Sequence, residues 1–68
     1  MERGKAGNVI RLARLRKGMT QMELADRLEV NQATVAIWET GRGFPKARNC
    51  GKLCDVLDIG IQELFEAG

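Results

Sequence analysis

Two short helical segments separated by about three residues constrain this fold more than any other feature of the sequence. Thr20 is followed three positions later by Glu23, a capping-box pattern that predicts a helix over residues 21–28. Asn31 is a second N-cap signal and predicts a helix over residues 32–40. Because two helices joined this closely cross at a steep angle, the spacing predicts a helix-turn-helix.

Glycine and proline divide the rest of the chain into three further segments with helical spacing of apolar residues. The first helix is expected over residues 8–17, with Asn8 as its N-cap and a glycine after its last turn. A fourth helix is expected over 46–57, with Pro45 at its start, and a fifth over 61–66. No segment alternates apolar and polar residues as a strand does, so the predicted fold is all-α, a compact five-helix bundle.

The length predicts one domain over residues 1–68, with an ordered core over about 8–66. A domain this small has a thin margin of stability, which a disulfide or a metal often supplements. Here the chain has two cysteines and no histidine. Cys50 and Cys54 lie four positions apart on one face of a helix, which favours neither a disulfide nor a zinc site. We expect two buried apolar thiols, no metal and no cofactor.

Four residues are expected to anchor the helix-turn-helix and the last helix in the core: Val35, Trp38, Leu64 and Phe65. Trp38 has a second interpretation, since an exposed tryptophan can stack on the bases of single-stranded nucleic acid. Its apolar neighbours on a helix favour the core position.

The net charge is only +2, but the charges are segregated along the chain. Segments 1–22 and 42–52 are basic, and segments 23–41 and 53–68 are acidic. This pattern predicts a polar molecule with one positive face, although ordinary solvated charge gives the same pattern.

Features of enzymes and of membrane proteins are missing from the sequence. It contains no histidine, serine or tyrosine, and its carboxylates form no metal-spaced cluster, so we expect no enzyme and no small-molecule substrate. No apolar run approaches the roughly 20 residues that span a bilayer, and residues 1–7 lack the apolar core of a signal peptide. A cytoplasmic protein without membrane contact is therefore expected.

The order of the residues resembles the helix-turn-helix family of phage repressors and Cro proteins, the regulators of the xenobiotic-response-element type. The resemblance covers roughly residues 8–66 and rests on Met19-Thr20-Gln21-Met22-Glu23-Leu24-Ala25, Leu28, Val30, Thr34, Val35, Trp38-Glu39, Gly41, Pro45, Leu53, Leu57, Ile59 and Glu63-Leu64-Phe65. It implies a lambda-repressor-like fold and sequence-specific binding of double-stranded DNA, with transcriptional repression as the expected outcome. It also implies a prokaryotic or phage protein associated with the nucleoid.

The resemblance places the helix over 32–40 in the major groove. It implies base contacts from Asn31, Gln32, Ala33, Thr34 and Ile37. Gln32 is the first choice among them, because an amide can make two hydrogen bonds with adenine. The apolar Ala33, Ala36 and Ile37 depart from the polar residues of many relatives, which shifts specificity toward thymine methyls, DNA shape or a partner half-site.

The resemblance also implies residues that contact the DNA backbone and residues that stabilise the fold. Phosphate contacts are implied for Gln21, Thr40, Arg42 and Lys46. The family pattern further implies a salt bridge between Arg14 and Glu39. A partly buried pair would stabilise the fold, and a surface pair would contribute little. Glu39 is thus interpreted as structural and not catalytic.

Two hypotheses about partners follow from the resemblance. One short recognition helix reads too few base pairs for a unique site, so a homodimer on a palindromic operator is expected, with weak self-association around residues 59–65. The alternative function is a protein-interaction module, antitoxin-like or coactivator-like. An apolar patch of Leu12, Leu15 and Ile37 would serve it.

Overall fold

The structure, a computed structural model, describes residues 5–67 and is all-helical over that range, as predicted. Its five helices are α1 (Lys5–Arg16), α2 (Gln21–Leu28), α3 (Gln32–Glu39), α4 (Ala47–Leu57) and α5 (Ile61–Ala67). None of these helices is long and apolar enough to cross a membrane. The expectation of no signal peptide falls partly on residues 1–4, which lie outside the described range.

The two helices of the helix-turn-helix begin and end close to the predicted positions. The Thr20 hydroxyl accepts a hydrogen bond from the Glu23 N–H at 3.0 Å, and the Thr20 N–H donates to the Glu23 carboxylate at 2.8 Å. These reciprocal bonds form the predicted capping box at the start of α2. Gly18 follows α1 with a φ of 71°, and Gly41 follows α3 with a φ of 81°, values that glycine adopts without strain.

The predicted start of α1 is wrong. The helix begins at Lys5, so Asn8 lies inside its first turns as an exposed residue and not at its N-cap. Ala6 and Gly7 are buried, and the packing of these small residues extends the helix toward the N-terminus. Tertiary contact therefore overrides the local capping signal at this end.

Two other predicted helix starts differ from the structure in detail. Asn31 is at the N-cap of α3 with extended backbone, but its side chain makes no capping hydrogen bond. Lys46 is the N-cap of α4, so Pro45 lies two residues before the first helical residue. The first N–H groups of both helices are therefore left without a side-chain cap.

The core draws buried residues from all five helices. It consists of Ala6, Ile10, Ala13, Leu24, Ala25, Leu28, Val35, Trp38, Cys50, Leu53, Cys54, Leu57 and Leu64. Trp38 is buried, in agreement with the core interpretation. Phe65 was wrongly expected in the core: 56% of its surface is exposed, and its ring stacks on Phe44 at a centroid distance of 5.8 Å.

Both cysteines are buried, free thiols on the inner face of α4. The Cys50 thiol donates to the Pro45 carbonyl oxygen at 3.4 Å. Burial raises the pKa of both thiols, because a thiolate loses its hydration there. The two side chains pack as small apolar groups in this fold.

Candidate nucleic-acid interface

The third helix has one buried face and one face open to solvent. Val35 and Trp38 are buried and hold the helix to the core. Gln32, Ala33 and Ile37 are exposed on the other face. Thr34 is half-buried and Asn31 is exposed at the N-cap. The residues implied to contact bases thus lie on or beside the exposed surface of α3, which we call the reading face (31–34 and 37).

An ion pair ties α1 to the C-terminal end of α3. Arg14 Nε donates to Glu39 Oε2 at 2.7 Å, and Arg14 Nη2 donates to Glu39 Oε1 at 3.1 Å. Only 10% of the arginine side chain and 3% of the glutamate side chain are exposed. The hydrogen bonds to Glu39 raise the pKa of Arg14. The expected pair is therefore present in its buried, bidentate form, which stabilises the position of α3.

Arg14 also holds the entry to α2. Its Nη1 donates to the Met19 carbonyl oxygen at 2.8 Å, directly before the capping box. One buried guanidinium therefore fixes α1, the start of α2 and the end of α3 relative to one another. No buried side-chain nitrogen or oxygen within residues 5–67 lacks a hydrogen-bond partner.

Two glutamines, Gln21 and Gln32, extend this network to the surface of α3. Gln21 Nε2 donates to Glu39 Oε1 at 3.1 Å. Gln32 Nε2 donates to Gln21 Oε1 at 3.3 Å. Sequence reasoning missed this connection, because the partners are 18 and 11 positions apart and no local pattern links them.

The residues implied to contact phosphate occupy two places beside the reading face. Gln21 is the first residue of α2, where the backbone N–H points out of the helix end. The Gln21 side chain is engaged in the glutamine pair, so the backbone N–H is the group that remains for a phosphate. Arg42 and Lys46 are exposed in the segment between α3 and α4. The Thr40 hydroxyl donates to the Ile37 carbonyl oxygen at 3.0 Å, so a phosphate contact there requires that bond to be exchanged.

The loop after α3 also carries an apolar surface that it shares with α5. Phe44, Ile61 and Phe65 are 42%, 44% and 56% exposed, and we call them the aromatic patch. The α5 segment carries acidic residues and no basic residue in its last turn. This surface suits a protein contact and not a phosphate backbone.

The fold and the reading face define the class of this protein as a helix-turn-helix domain. The family model described as helix-turn-helix matches residues 10–64. This chain belongs to the helix-turn-helix family. Membership confirms the resemblance seen in the sequence.

Three relatives illustrate the breadth of the match. The transcriptional repressor RstR of the cryptic phage CTXphi from Vibrio cholerae is 38% identical over 56 residues, covering 79% of this chain and 50% of the repressor. An uncharacterised HTH-type transcriptional regulator from Archaeoglobus fulgidus is 38% identical over 56 residues, covering 82% of this chain and 80% of the relative. The crystal structure of the restriction-modification controller protein C.AhdI from Aeromonas hydrophila superposes with a TM-score of 0.82 at 33% identity, covering 93% and 96% of the two chains. The chain thus spans about half the length of RstR.

Proposed function

We propose that this domain represses transcription by binding an operator with α3 in the major groove of duplex DNA. The observation that carries the proposal is the division of α3 into a reading face and a buried face anchored by Val35 and Trp38. The major groove admits an α-helix, and its base edges carry the donor and acceptor pattern that distinguishes base pairs. In this proposal the domain is not an enzyme. It works in the cytoplasm of a prokaryotic cell, bound to the DNA of the nucleoid.

The reading face contains residues that can form hydrogen bonds with bases and residues that can make only apolar contacts with them. Gln32 is exposed at the N-terminal end of α3 and can make two hydrogen bonds with adenine. Ala33 and Ile37 are exposed apolar residues that suit the methyl group of thymine. Thr34 and Asn31 flank them and can reach a base edge. The face therefore favours sites rich in A·T pairs.

The phosphate contacts fall on the two sides of this reading face. On one side is the Gln21 N–H at the start of α2, where the helix dipole favours an anion. On the other side are Thr40, Arg42 and Lys46, together with the uncapped first turn of α4. Contacts on both strands fix the register of α3 in the groove.

The salt dependence of DNA binding separates base contacts from phosphate contacts. An operator is first selected from random duplexes, and affinities are then measured by anisotropy at several salt concentrations. Gln32→Ala is expected to reduce the preference for the operator over random duplex. Arg42→Ala is expected to weaken binding to all duplexes and to lower the salt slope by about one unit.

Arg11→Ala is the matched control, since Arg11 is an exposed arginine on α1, outside the two helices of the helix-turn-helix. It should leave both the slope and the preference unchanged. If Gln32→Ala and Arg42→Ala behave like Arg11→Ala, then α3 does not contact the DNA.

We further propose that the DNA-bound form is a homodimer that meets through the aromatic patch. Three half-exposed side chains cover on the order of 300 Å² per copy, against about 800 Å² per partner in a stable interface. Free subunits should therefore associate weakly, and a palindromic operator supplies the remaining free energy by holding two copies together.

Equilibrium sedimentation with and without a palindromic duplex tests the dimer. We expect a monomer in the absence of DNA and two copies per duplex in its presence. Phe65→Ser should reduce the cooperativity of operator binding without changing the affinity for a single half-site. A complex of one copy per palindromic duplex would refute the proposed dimer.

A second candidate function, binding of another protein, is favoured by the outer face of α1. Leu12 and Leu15 are 53% and 52% exposed there, and Ile37 on α3 is 44% exposed. Leu12→Gln with Leu15→Gln should leave operator affinity unchanged. If repression in cells is lost nevertheless, a protein partner uses this face.

A further inference from the structure

We propose that Gly43 is a positioning residue for base recognition: because it has no side chain, Ile37 keeps the conformation in which it contacts a thymine methyl group. The inference rests on the proposed reading of bases by Ile37. Gly43 touches no base in this scheme, and it acts only through the isoleucine beside it.

The loop after α3 lies in close contact with the reading face. A Cβ atom added at Gly43 would lie 2.9 Å from Ile37 Cγ2, which is closer than two carbon atoms approach without repulsion. Backbone conformation does not require this glycine, because among the glycines of residues 5–67 a positive φ occurs at Gly18 and Gly41 and not at Gly43. What position 43 requires is therefore space for Ile37.

Hydrogen bonds hold both ends of this loop in place. The Ile37 carbonyl oxygen accepts from the Thr40 hydroxyl at 3.0 Å and from the Arg42 N–H at 3.1 Å. At the other end, the Cys50 thiol donates to the Pro45 carbonyl oxygen at 3.4 Å. Because the loop is bonded to α3 on one side and to α4 on the other, a methyl group at position 43 should displace the Ile37 side chain and not the loop.

The displaced atom belongs to the stiff part of the isoleucine. Cγ2 is bonded directly to the branched Cβ atom, and a β-branched residue in a helix has one strongly preferred χ1 rotamer. Ile37 can therefore move Cγ2 only by leaving that rotamer, which also moves the rest of the side chain. Since Ile37 is 44% exposed on the reading face, this movement changes the apolar surface that faces the DNA.

A thymine methyl group is the base feature that matches an exposed isoleucine. Thymine carries this methyl group at C5 in the major groove, where apolar side chains contact it. Burial of one such carbon raises the affinity by about fourfold. Uracil lacks the methyl group and keeps the same hydrogen-bonding edge, so the ratio of affinities for thymine and uracil duplexes measures this contact alone.

That ratio is measured at the operator position where Ile37→Ala abolishes the preference for thymine. The wild-type domain should bind the thymine duplex about fourfold more tightly than the uracil duplex. Gly43→Ala should reduce the ratio to below about twofold, because the displaced isoleucine no longer covers the methyl group. Gly51→Ala is the matched control, since a Cβ atom there meets nothing within 4 Å, and it should keep the full ratio. Circular dichroism checks the fold of each variant.

A change at Ile37 separates this contact from other effects of the loop. Leucine branches at Cγ, so Ile37→Leu removes the Cγ2 atom from Cβ and leaves room for a methyl group at position 43. Adding Gly43→Ala to Ile37→Leu should therefore leave the ratio of that variant unchanged. A shift of Arg42 would weaken binding to both duplexes equally, because phosphate contacts carry no base information, and would not change the ratio.

The outcomes distinguish the inference from the function on which it rests. If Ile37→Ala changes the thymine preference at no position, the proposed reading by Ile37 is wrong and the inference fails with it. If Ile37→Ala abolishes the preference but Gly43→Ala keeps the full ratio, the reading stands and the positioning by Gly43 is refuted. A loss of the ratio when Gly43→Ala is added to Ile37→Leu also overturns the inference, since the loop would then act without the contact to Cγ2.

Discussion

The substitution Gly7→Ala tests how closely α1 approaches α3. A Cβ atom at Gly7 would lie 2.5 Å from the Trp38 carbonyl oxygen and 2.6 Å from the Glu39 carbonyl oxygen. Both are backbone atoms at the end of α3, so neither can rotate away as a flexible side chain would. Even one methyl group at this position must push α1 and α3 apart.

The expected cost follows from two opposing terms. Alanine is better than glycine inside a helix by about 1 kcal/mol. Overpacking a close contact costs about 1–3 kcal/mol, and two backbone oxygens place this site at the upper end. The net effect should be a destabilisation of about 2 kcal/mol. In a domain of this size that lowers Tm by roughly 8–16 °C.

Gly51→Ala is the matched control. Gly51 lies inside α4, and a Cβ atom there would meet nothing within 4 Å. The same substitution should therefore stabilise the domain by up to about 1 kcal/mol. Thermal and urea unfolding followed by far-ultraviolet circular dichroism measures both variants. If Gly7→Ala is as stable as the wild type, or shifts in the same direction as Gly51→Ala, the close approach of α1 to α3 is refuted.

Three further predictions concern the ion pair, a helix end and the thiols. Arg14→Met strands Glu39 in a site where its side chain is 3% exposed, and urea unfolding should show a loss of about 3–5 kcal/mol. A loss below about 1 kcal/mol would mean that water screens the pair. Glu29→Gly should raise Tm and stabilise the domain by about 1 kcal/mol, because Glu29 ends α2 with a φ of 59° that glycine adopts more readily. Cys50 and Cys54 should react slowly with a disulfide reagent near pH 8, since burial raises the pKa of each thiol and lowers its thiolate fraction at that pH. Both should react at once in denaturant, and fast labelling of the folded domain would contradict their burial.

Local sequence signals predicted most of the helices because the interactions behind them are short-range. The bond pattern of Thr20 with Glu23 spans one helical turn, and its strength depends little on the rest of the molecule. Gly18 and Gly41 end helices through their own backbone freedom. The order of the helices could therefore be derived from the sequence.

Local signals failed where tertiary packing competes with them. Asn8 has the chemistry of an N-cap, yet α1 continues past it because Ala6 and Gly7 pack in the interior. Phe65 has the apolarity of a core residue, yet Leu64 fills that place and Phe65 stacks on Phe44 at the surface. Apolar character determined that Phe65 would find an apolar neighbour, but not which one.

The sequence by itself determined the five helices, the reading face and the acidic and basic segments, because each depends on residues close together in the chain. Only the tertiary structure decided that Glu39, Gln21 and Gln32 form one directed series of hydrogen bonds. Those three residues come from the end of α3, the start of α2 and the start of α3. A hydrogen bond requires two atoms about 3 Å apart, and the fold alone brings such distant positions within that distance.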